Sequence, residues 1–223
     1  MAMTTRKIAF SIGEYYHVYS RGTDGRDIFL GDEDMERFIK LLFVANGVNP
    51  FVFRDFPVGM SYLKFERGGI IVAIGAYCLM PNHFHILIKE TKDGGISMFI
   101  RKVLTSYSSY FNKKYKRTGR LFESAFKAKH IDSDEYLKYL FSYIHLNQVK
   151  LIDPKWKENG ISNRESAIAY LNKYKYSSYL DYVGENRKEG VILNKSDFPE
   201  YFASFDEFKD FIDEWLKYKD QVQ

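Results

Sequence analysis

The sequence predicts an α+β fold in which a four-stranded antiparallel sheet carries two helices on one face. Two observations support it: short segments rich in strand-forming residues alternate with amphipathic helical segments, and their order is strand, helix, strand, strand, helix, strand. A βαββαβ series of this kind is typical of the ferredoxin-like (RRM-like) sandwich. The other face of the sheet is then free for a ligand or for a further helix, and a strong helical segment does follow the last strand.

The first predicted strand and helix are bounded by turn and capping residues. Glu14–Ser20 is rich in β-formers and ends at Arg21-Gly22. A helix follows over Asp32–Ala45, because its apolar residues recur at helical spacing and its first residue can act as an N-cap. Phe51–Gly69 contains a proline and three glycines, and we predict that it is an irregular loop or insertion.

Two strands and a second helix come next. The apolar run Ile70–Tyr77 predicts a buried strand, and the turn Met80-Pro81-Asn82 leads into another strand, His83–Lys89. Gly94-Gly95 then interrupts the chain before a helix over Ile96–Lys114. This strand pair and helix supply the centre of the predicted sandwich.

The last predicted strand is Arg120–His130, in which apolar and polar residues alternate loosely. The strong helix after it covers Asp132–Val149, with Ser133 as its candidate N-cap. Beyond this helix the sequence is less regular, and we divide the chain into a core domain, 1–153, and a helical C-terminal extension, 154–223, packed on the core. Short helices are predicted in the extension at Glu165–Tyr174, Ser177–Val183 and Asp206–Tyr218.

The composition restricts the class of protein. The chain has 223 residues, of which 45% are hydrophobic and 28% charged, as expected of a soluble globular domain. No apolar run approaches the roughly 20 residues that a membrane-spanning helix needs, and the N-terminus lacks the apolar stretch of a secretory signal. Cys78 is the single cysteine, which excludes an internal disulfide and a cysteine-rich zinc site. We therefore predict a cytoplasmic protein that does not associate with membranes.

The positive charge of the chain is concentrated in one segment, 101–130. Nine basic residues stand there against one acidic residue, Glu123, and aromatic residues lie between them. This pattern suits a nucleic-acid backbone with bases stacked on rings, and it is equally compatible with a solvated helix face. The basic residues are Arg101, Lys102, Lys113, Lys114, Lys116, Arg117, Arg120, Lys127 and Lys129.

The sequence His83-Phe84-His85 is a candidate pair of metal ligands. Alternate side chains of a strand share a face, so both imidazoles project together while Phe84 points to the opposite side. Two imidazoles on one surface can bind a divalent metal. The alternative is a pair of half-exposed strand histidines with no ligand.

A second candidate group, Tyr143 and Asn147, lies on the last strong helix. The two residues are four positions apart, so they lie on one face of the helix, one turn from each other. The amide oxygen of Asn147 could complete a metal site with two histidines, and Tyr143 would then be a nucleophile beside the metal. The alternative is that Tyr143 only fills packing space.

Other tyrosines and histidines compete for these roles. Tyr139 shares the helix face of Tyr143, but the residue one turn after it is Tyr143 itself rather than an amide. His17 could approach a substrate phosphate or be a hydrogen-bonded strand residue. His130 and His145 are expected to be structural.

Taken together, these motifs resemble the HUH superfamily of single-tyrosine transposases, and among them the REP-associated tyrosine transposases. The resemblance covers residues 14–184. This sequence departs from the family pattern at Gln148, where relatives often carry proline, and in the unusually long segment Val48–Gly69. The matching stretches are Tyr16–Gly22, Tyr77–Leu87, Gly119–Phe122 and Tyr143–Lys150, with a further match at Tyr176–Tyr179.

The resemblance implies a metal-assisted transesterification of single-stranded DNA. His83, His85 and Asn147 would hold one divalent ion, Mg²⁺ or Mn²⁺. Tyr143 would attack a DNA phosphodiester to give a 5′-phosphotyrosine and a free 3′-OH, followed by strand transfer. Residues 1–153 would then be the catalytic domain, with the strong helix as its catalytic helix.

The resemblance also implies the partners of the protein. We expect the protein to bind single-stranded or hairpin (REP-like) DNA. We also expect it to be a monomer or a homodimer and to lie in a prokaryotic cytoplasm. The alternative function is a non-catalytic, domesticated protein that binds hairpin DNA or RNA. The residues expected to contact DNA are Arg21, Arg26, Arg101, Lys102, Lys113, Lys114, Lys116, Arg117, Arg120 and Lys127.

Overall fold

The structure is a computed structural model that describes residues 9–52 and 61–217. Part of the loop predicted at Phe51–Gly69 lies outside the described residues, and Tyr62–Lys64 within it forms a 3-10 turn. The strands are β1 (Tyr15–Arg21), β2 (Val72–Met80), β3 (His83–Glu90) and β4 (Lys127–Ile131). The helices are α1 (Asp32–Val44), α2 (Gly95–Lys114), α3 (Asp134–Leu146), α4 (Trp156–Asn159), α5 (Arg164–Leu171), α6 (Tyr179–Tyr182) and α7 (Phe205–Lys217).

The sheet topology confirms the predicted fold class. The strands lie in the order β2-β3-β1-β4, and each neighbouring pair is antiparallel. Helix α1 therefore connects two parallel strands, β1 and β2, that have β3 between them, as in a ferredoxin-like sandwich. Among the described residues, no helix combines the length and apolarity that crossing a membrane requires.

Helices α1 and α2 pack on one face of the sheet through their apolar sides. The rings of Phe38 in α1 and Tyr107 in α2 have centroids 5.1 Å apart, and Phe84 of β3 lies 5.0 Å from Phe38. Helix α2 begins at Gly95, a short turn after β3, and the buried carboxylate of Glu90, the last residue of β3, accepts hydrogen bonds from the N–H groups of the first two helical residues at 3.0 and 2.7 Å. A carboxylate at this position satisfies free N–H groups and interacts favourably with the helix dipole.

The opposite face of the sheet is covered by α3, the further helix expected from the sequence. Ser133 is its N-cap, as predicted, because Ser133 Oγ accepts a hydrogen bond from the backbone N–H three residues later at 3.2 Å. Leu140 and Ile144 of α3 lie in one buried cluster with Cys78 and Leu87 of the sheet. The fold thus has three layers, with the sheet between α1/α2 and α3.

Residues of the C-terminal extension hydrogen-bond along the outer edge of β2. The segment Tyr176–Ser178 accepts a hydrogen bond from Leu79 N–H at 3.0 Å and donates one to the Tyr77 carbonyl at 2.9 Å. Further along the strand, Asn194 N–H donates to the Ile74 carbonyl at 2.8 Å. The backbone groups on this edge of the sheet are therefore satisfied by the same chain.

The extension also packs against the core through aromatic side chains. Trp215 of α7 lies against Tyr139 of α3, with ring centroids 5.1 Å apart. The Phe198 ring covers Gly75 in β2, where an added Cβ would come within 2.7 Å of the ring. The division of the chain at residue 153 stays a prediction.

The predicted strand Arg120–His130 is wrong in its first half. Only Lys127–Ile131 forms β4, and residues 120–126 form a loop instead. This loop is held against the end of β1, because Glu123 N–H donates to the Arg21 carbonyl at 3.0 Å. We call residues 119–126 the β4-preceding loop.

Helix α3 ends at Leu146, earlier than the predicted Asp132–Val149. The next five residues, Asn147–Leu151, continue as a 3-10 turn. Asn147 keeps helical backbone angles, φ −56° and ψ −37°. It therefore still lies one turn after Tyr143, as the sequence predicts.

Candidate active site

Three histidines meet on the face of the sheet that α3 covers. His83 and His85 of β3 have ring centroids 4.9 Å apart, since both side chains point to one face of the strand. On β1, Tyr19 lies opposite His85, and His17 stacks on the His85 ring at 5.0 Å. His17 and His85 are each only 6% exposed. Two neighbouring strands therefore assemble one histidine cluster: His17, His83 and His85.

Hydrogen bonds fix the orientation of the imidazoles in this cluster. Asn82 donates through Nδ2 to the Gly25 carbonyl at 3.2 Å, which turns its Oδ1 toward His83 Nδ1 at 2.6 Å. His83 Nδ1 is therefore the protonated nitrogen, and its Nε2 keeps a lone pair. His85 Nδ1 lies 2.8 Å from His17 Nε2, so a proton on His85 Nδ1 would likewise leave His85 Nε2 for a ligand. Outer hydrogen bonds of this kind orient metal-binding histidines.

The surroundings of the cluster favour the neutral form of its three imidazoles. Burial, with the nearby charges of Lys129 and Lys157, lowers the pKa of His17 to about 4. Burial also lowers the pKa of His83 to about 4 and that of His85 well below its usual value. The rings are uncharged at neutral pH, which is the form that binds metals.

Tyr143 of α3 packs directly against this cluster. Its ring centroid lies 5.7 Å from that of His17 and 5.6 Å from that of His85. On another side, Lys157 Nζ lies 3.8 Å from the ring centroid. Burial raises the pKa of the Tyr143 phenol, and a hydrogen bond from the Asn147 side chain acts in the opposite direction. The structure thus places the predicted nucleophile between two imidazoles and an ammonium group.

Asn147 lies beside Tyr143 on the same helix face. It is 1% exposed, and its Nδ2 donates to the Tyr143 carbonyl at 3.2 Å. Within residues 9–52 and 61–217, no group of three or more His, Cys, Asp or Glu side chains is placed to hold a metal. His83 and His85 supply two candidate ligands, and the sequence predicts the amide oxygen of Asn147 as the third. Two imidazole nitrogens and an amide oxygen are a donor set that fits a divalent ion.

Three of the predicted DNA-binding residues lie at the end of β1 or beside it. Arg21 Nε and Lys127 Nζ lie 2.5 and 2.9 Å from the two carboxylate oxygens of Glu123. Arg26, in the turn after β1, pairs with Asp24 at 3.3 Å. The three basic side chains are between 41% and 61% exposed, so they remain accessible to a ligand.

The other predicted DNA-binding residues lie on the α2 side of the sheet or in the β4-preceding loop. Lys102 donates to a backbone carbonyl at 2.5 Å, and Lys114 pairs with the buried Asp34 carboxylate at 2.7 Å. Arg117 lies 5.7 Å from the ring centroid of Phe111. The sheet therefore separates the basic residues of α2 from Tyr143. The exposed members of this group are Arg101, Lys113, Lys114, Lys116 and Arg120.

Several lysines near the histidine cluster are not among the site residues predicted from the sequence. Lys129 lies opposite His17 on β4, and Lys150 contributes to the lowered pKa of His83. Lys129 could have been found, because it shares a strand face with Lys127. Lys157 gave no signal, since it follows the predicted core domain.

A ferredoxin-like sheet with a His-x-His strand facing a helix-borne tyrosine is the arrangement expected of a transposase-type protein. Residues 69–147 match the family model described as "Transposase IS200 like". This range contains His83, His85, Tyr143 and Asn147. Over these residues, the resemblance to transposases that the sequence predicts is confirmed.

The fold also matches a solved structure. That structure is described as a REP-associated tyrosine transposase bound to a REP hairpin. The TM-score is 0.52, the sequence identity is 14%, and the match covers 91% of this chain and 92% of the other. At this identity the likeness shows a shared fold. A search of curated proteins found no significant match.

The buried imidazoles should make the stability of the protein depend on pH. The pKa of His17 is about 4 in the folded protein and about 6.5 in the unfolded chain, where it binds a proton more readily. The free energy of unfolding should therefore be highest above about pH 6.5 and fall as the pH drops toward 4, by up to about 3 kcal/mol for this group. Urea unfolding between pH 7.5 and 4.5, followed by circular dichroism, measures the loss. A His17→Asn variant should lose less stability over the same range, and an equal loss would contradict the prediction.

Proposed function

We propose that this protein is a metal-dependent transposase or nuclease that cuts single-stranded DNA with Tyr143 as the nucleophile. The observation that carries the proposal is the position of the Tyr143 ring, 5.6 Å from His85 and 5.7 Å from His17. A phenol beside neutral imidazoles can act in phosphoryl transfer at a metal site. The family match over residues 69–147 supports the same function.

His83, His85 and Asn147 would hold the divalent ion, Mg²⁺ or Mn²⁺, through two imidazole nitrogens and one amide oxygen. When bound, such an ion neutralises charge on the scissile phosphate. The hydrogen bond from His83 Nδ1 to Asn82 Oδ1, at 2.6 Å, would keep His83 Nε2 directed at the ion. His17 would support His85 in the same way through their 2.8 Å contact.

Tyr143 supplies the oxygen that attacks phosphorus. A bond forms between the phenolic oxygen and phosphorus, and the bond from phosphorus to the 3′ oxygen breaks. The products are a 5′-phosphotyrosine and a 3′-OH, which receives the proton that the phenol loses. Because the phosphotyrosine retains an ester bond, another 3′-OH can reverse the step and join new DNA ends. This exchange is the chemistry of strand transfer.

DNA would approach over the end of the sheet near His83 and Tyr143. Arg21, Lys127 and Lys129 offer positive charge there, on strands next to the histidine cluster. The similar solved structure contains a REP hairpin, and we propose hairpin DNA with a single-stranded flank as the substrate of this chain. A monomer or a homodimer would present the site.

The test is to incubate the protein with fluorescent hairpin DNA, with and without Mn²⁺ or Mg²⁺, and to separate the products under denaturing conditions. We expect a protein–DNA adduct that survives denaturation and requires the metal. Hairpin binding with no adduct under either metal would reject the proposal in favour of a non-catalytic DNA-binding protein.

Replacing Lys157 should slow adduct formation without weakening hairpin binding. Its ammonium group lies 3.8 Å from the Tyr143 ring centroid, which favours one position of the ring and an increase of negative charge on it. Lys157→Met should lower the rate about tenfold, and Lys157→Arg should restore most of it. Single-turnover rates and hairpin dissociation constants are measured in parallel. Lys155→Met, two residues earlier, is the matched control, and an equal effect of both Met variants would contradict the prediction.

A further inference from the structure

A groove lies between one side of α2 and the β4-preceding loop, outside the site described above. Its volume is about 560 Å³, within the range of roughly 300–1,000 Å³ that is usual for ligand-binding clefts. Arg101, Leu104 and Thr105 line it from the helix, and Arg120, Phe122 and Ser124 line it from the loop. The groove is therefore large enough for a nucleotide.

The lining of this groove combines positive charge with apolar surface. Its two charged residues, Arg101 and Arg120, are both cationic and exposed, and no acidic residue lines it. Leu104 and Phe122 supply buried apolar surface beside them. The Oγ atom of Ser124, another residue that lines the groove, is buried without a hydrogen-bond partner, which is unusual for a polar atom.

We propose that this groove binds an unpaired nucleotide of the DNA that flanks the cleaved phosphate. The inference rests on the proposed function and adds a binding site for the DNA that the protein would cut. Guanidinium groups bind phosphate, and apolar or aromatic side chains accept the flat face of a base. Only unpaired nucleotides expose base faces, whereas a hairpin stem presents its phosphates and base edges.

The loop that forms one wall of the groove is connected to the histidine cluster. Its Glu123 N–H donates to the Arg21 carbonyl at 3.0 Å, and Arg21 is the register partner of His83. Glu123 also pairs with Lys127, which lies opposite Tyr19 on the face of the sheet that carries the cluster. A strand leaving the site would thus pass Lys127 and Arg21 before it reached Arg120 and the groove.

The groove occupant can be tested with two DNA probes that share one hairpin, one blunt-ended and one with single-stranded flanks. Binding is measured by fluorescence anisotropy in a Tyr143→Phe background, so that cleavage does not interfere. An Arg101→Gln, Arg120→Gln double variant should bind the flanked hairpin about tenfold more weakly and the blunt hairpin almost unchanged. The charge-matched control is Lys113→Gln, Lys116→Gln, which lies outside the groove and should weaken both probes to the same small extent.

A cross-linking measurement gives a second, independent readout. The flanked probe carries 4-thiothymidine in its flanks, and cross-linked peptides are mapped by mass spectrometry. We expect cross-links in residues 97–108 and 119–126. Cross-links confined to other regions, or an equal loss of affinity for both probes in the arginine variant, would overturn the inference, and acidic peptides would then be the ligands to screen. The adduct assay with wild-type protein reports whether the DNA is cleaved, wherever its flank binds, so its outcome separates a failure of this inference from a failure of the proposed function.

Discussion

Tyr143→Phe should abolish the covalent protein–DNA adduct and leave hairpin binding intact. The substitution removes the only atom that could bond to phosphorus from this side chain, while the ring can keep its contacts with His17 and His85. Loss of a nucleophile in other enzymes lowers the rate by several powers of ten, and we expect a reduction of about 10⁴-fold or more. The measurement is adduct formation over time with labelled hairpin DNA and Mn²⁺.

The matched control for this variant is Tyr139→Phe. Tyr139 precedes Tyr143 by one turn, and their ring centroids are 6.0 Å apart. Its hydroxyl should be dispensable for the adduct, so the control should keep nearly the wild-type rate. If Tyr143→Phe formed the adduct normally and Tyr139→Phe did not, the nucleophile would have to be reassigned to Tyr139.

His83→Gln should remove most of the metal-dependent activity. His83 is the more exposed of the two β3 histidines, so its replacement should disturb the fold less than replacement of the buried His85. Loss of one of three ligands should weaken Mn²⁺ binding and lower the rate of adduct formation by more than about 100-fold. Mn²⁺ affinity is measured by electron paramagnetic resonance, and the rate is measured with hairpin DNA.

The control for the metal prediction is His130→Gln. His130 lies on β4, where its Nε2 is 2.7 Å from Glu14 Oε2, and it takes no part in the histidine cluster. Its replacement should leave both Mn²⁺ affinity and rate close to wild type. A His83→Gln protein that bound Mn²⁺ as tightly as the wild type would show that His83 is not a ligand.

The parts of the fold that depend on local patterns could be predicted from the sequence. The alternation along β3 placed His83 and His85 on one face, and helical spacing placed Asn147 one turn after Tyr143. The Ser133 cap was also identified from a local signal, and the structure contains its hydrogen bond. Each of these predictions depends on residues only a few positions apart.

The parts that depend on distant pairing could not be predicted. His17 joins the cluster only because β1 pairs with β3 in the register that sets Tyr19 opposite His85. The first half of Arg120–His130 alternates like a strand, yet it is held as a loop by hydrogen bonds to the end of β1. No local signal specifies either partner, since neither contact is formed between near neighbours in the chain.

The hydrogen bonds along the outer edge of β2 have a consequence for self-association. Exposed edge strands recruit strands of other molecules and so promote aggregation. Here Tyr176–Ser178 and Asn194 occupy that edge, and a second molecule could not add a strand there without displacing them. A chain truncated after residue 153 would lose this protection, so intermolecular sheet extension and precipitation are to be expected of it.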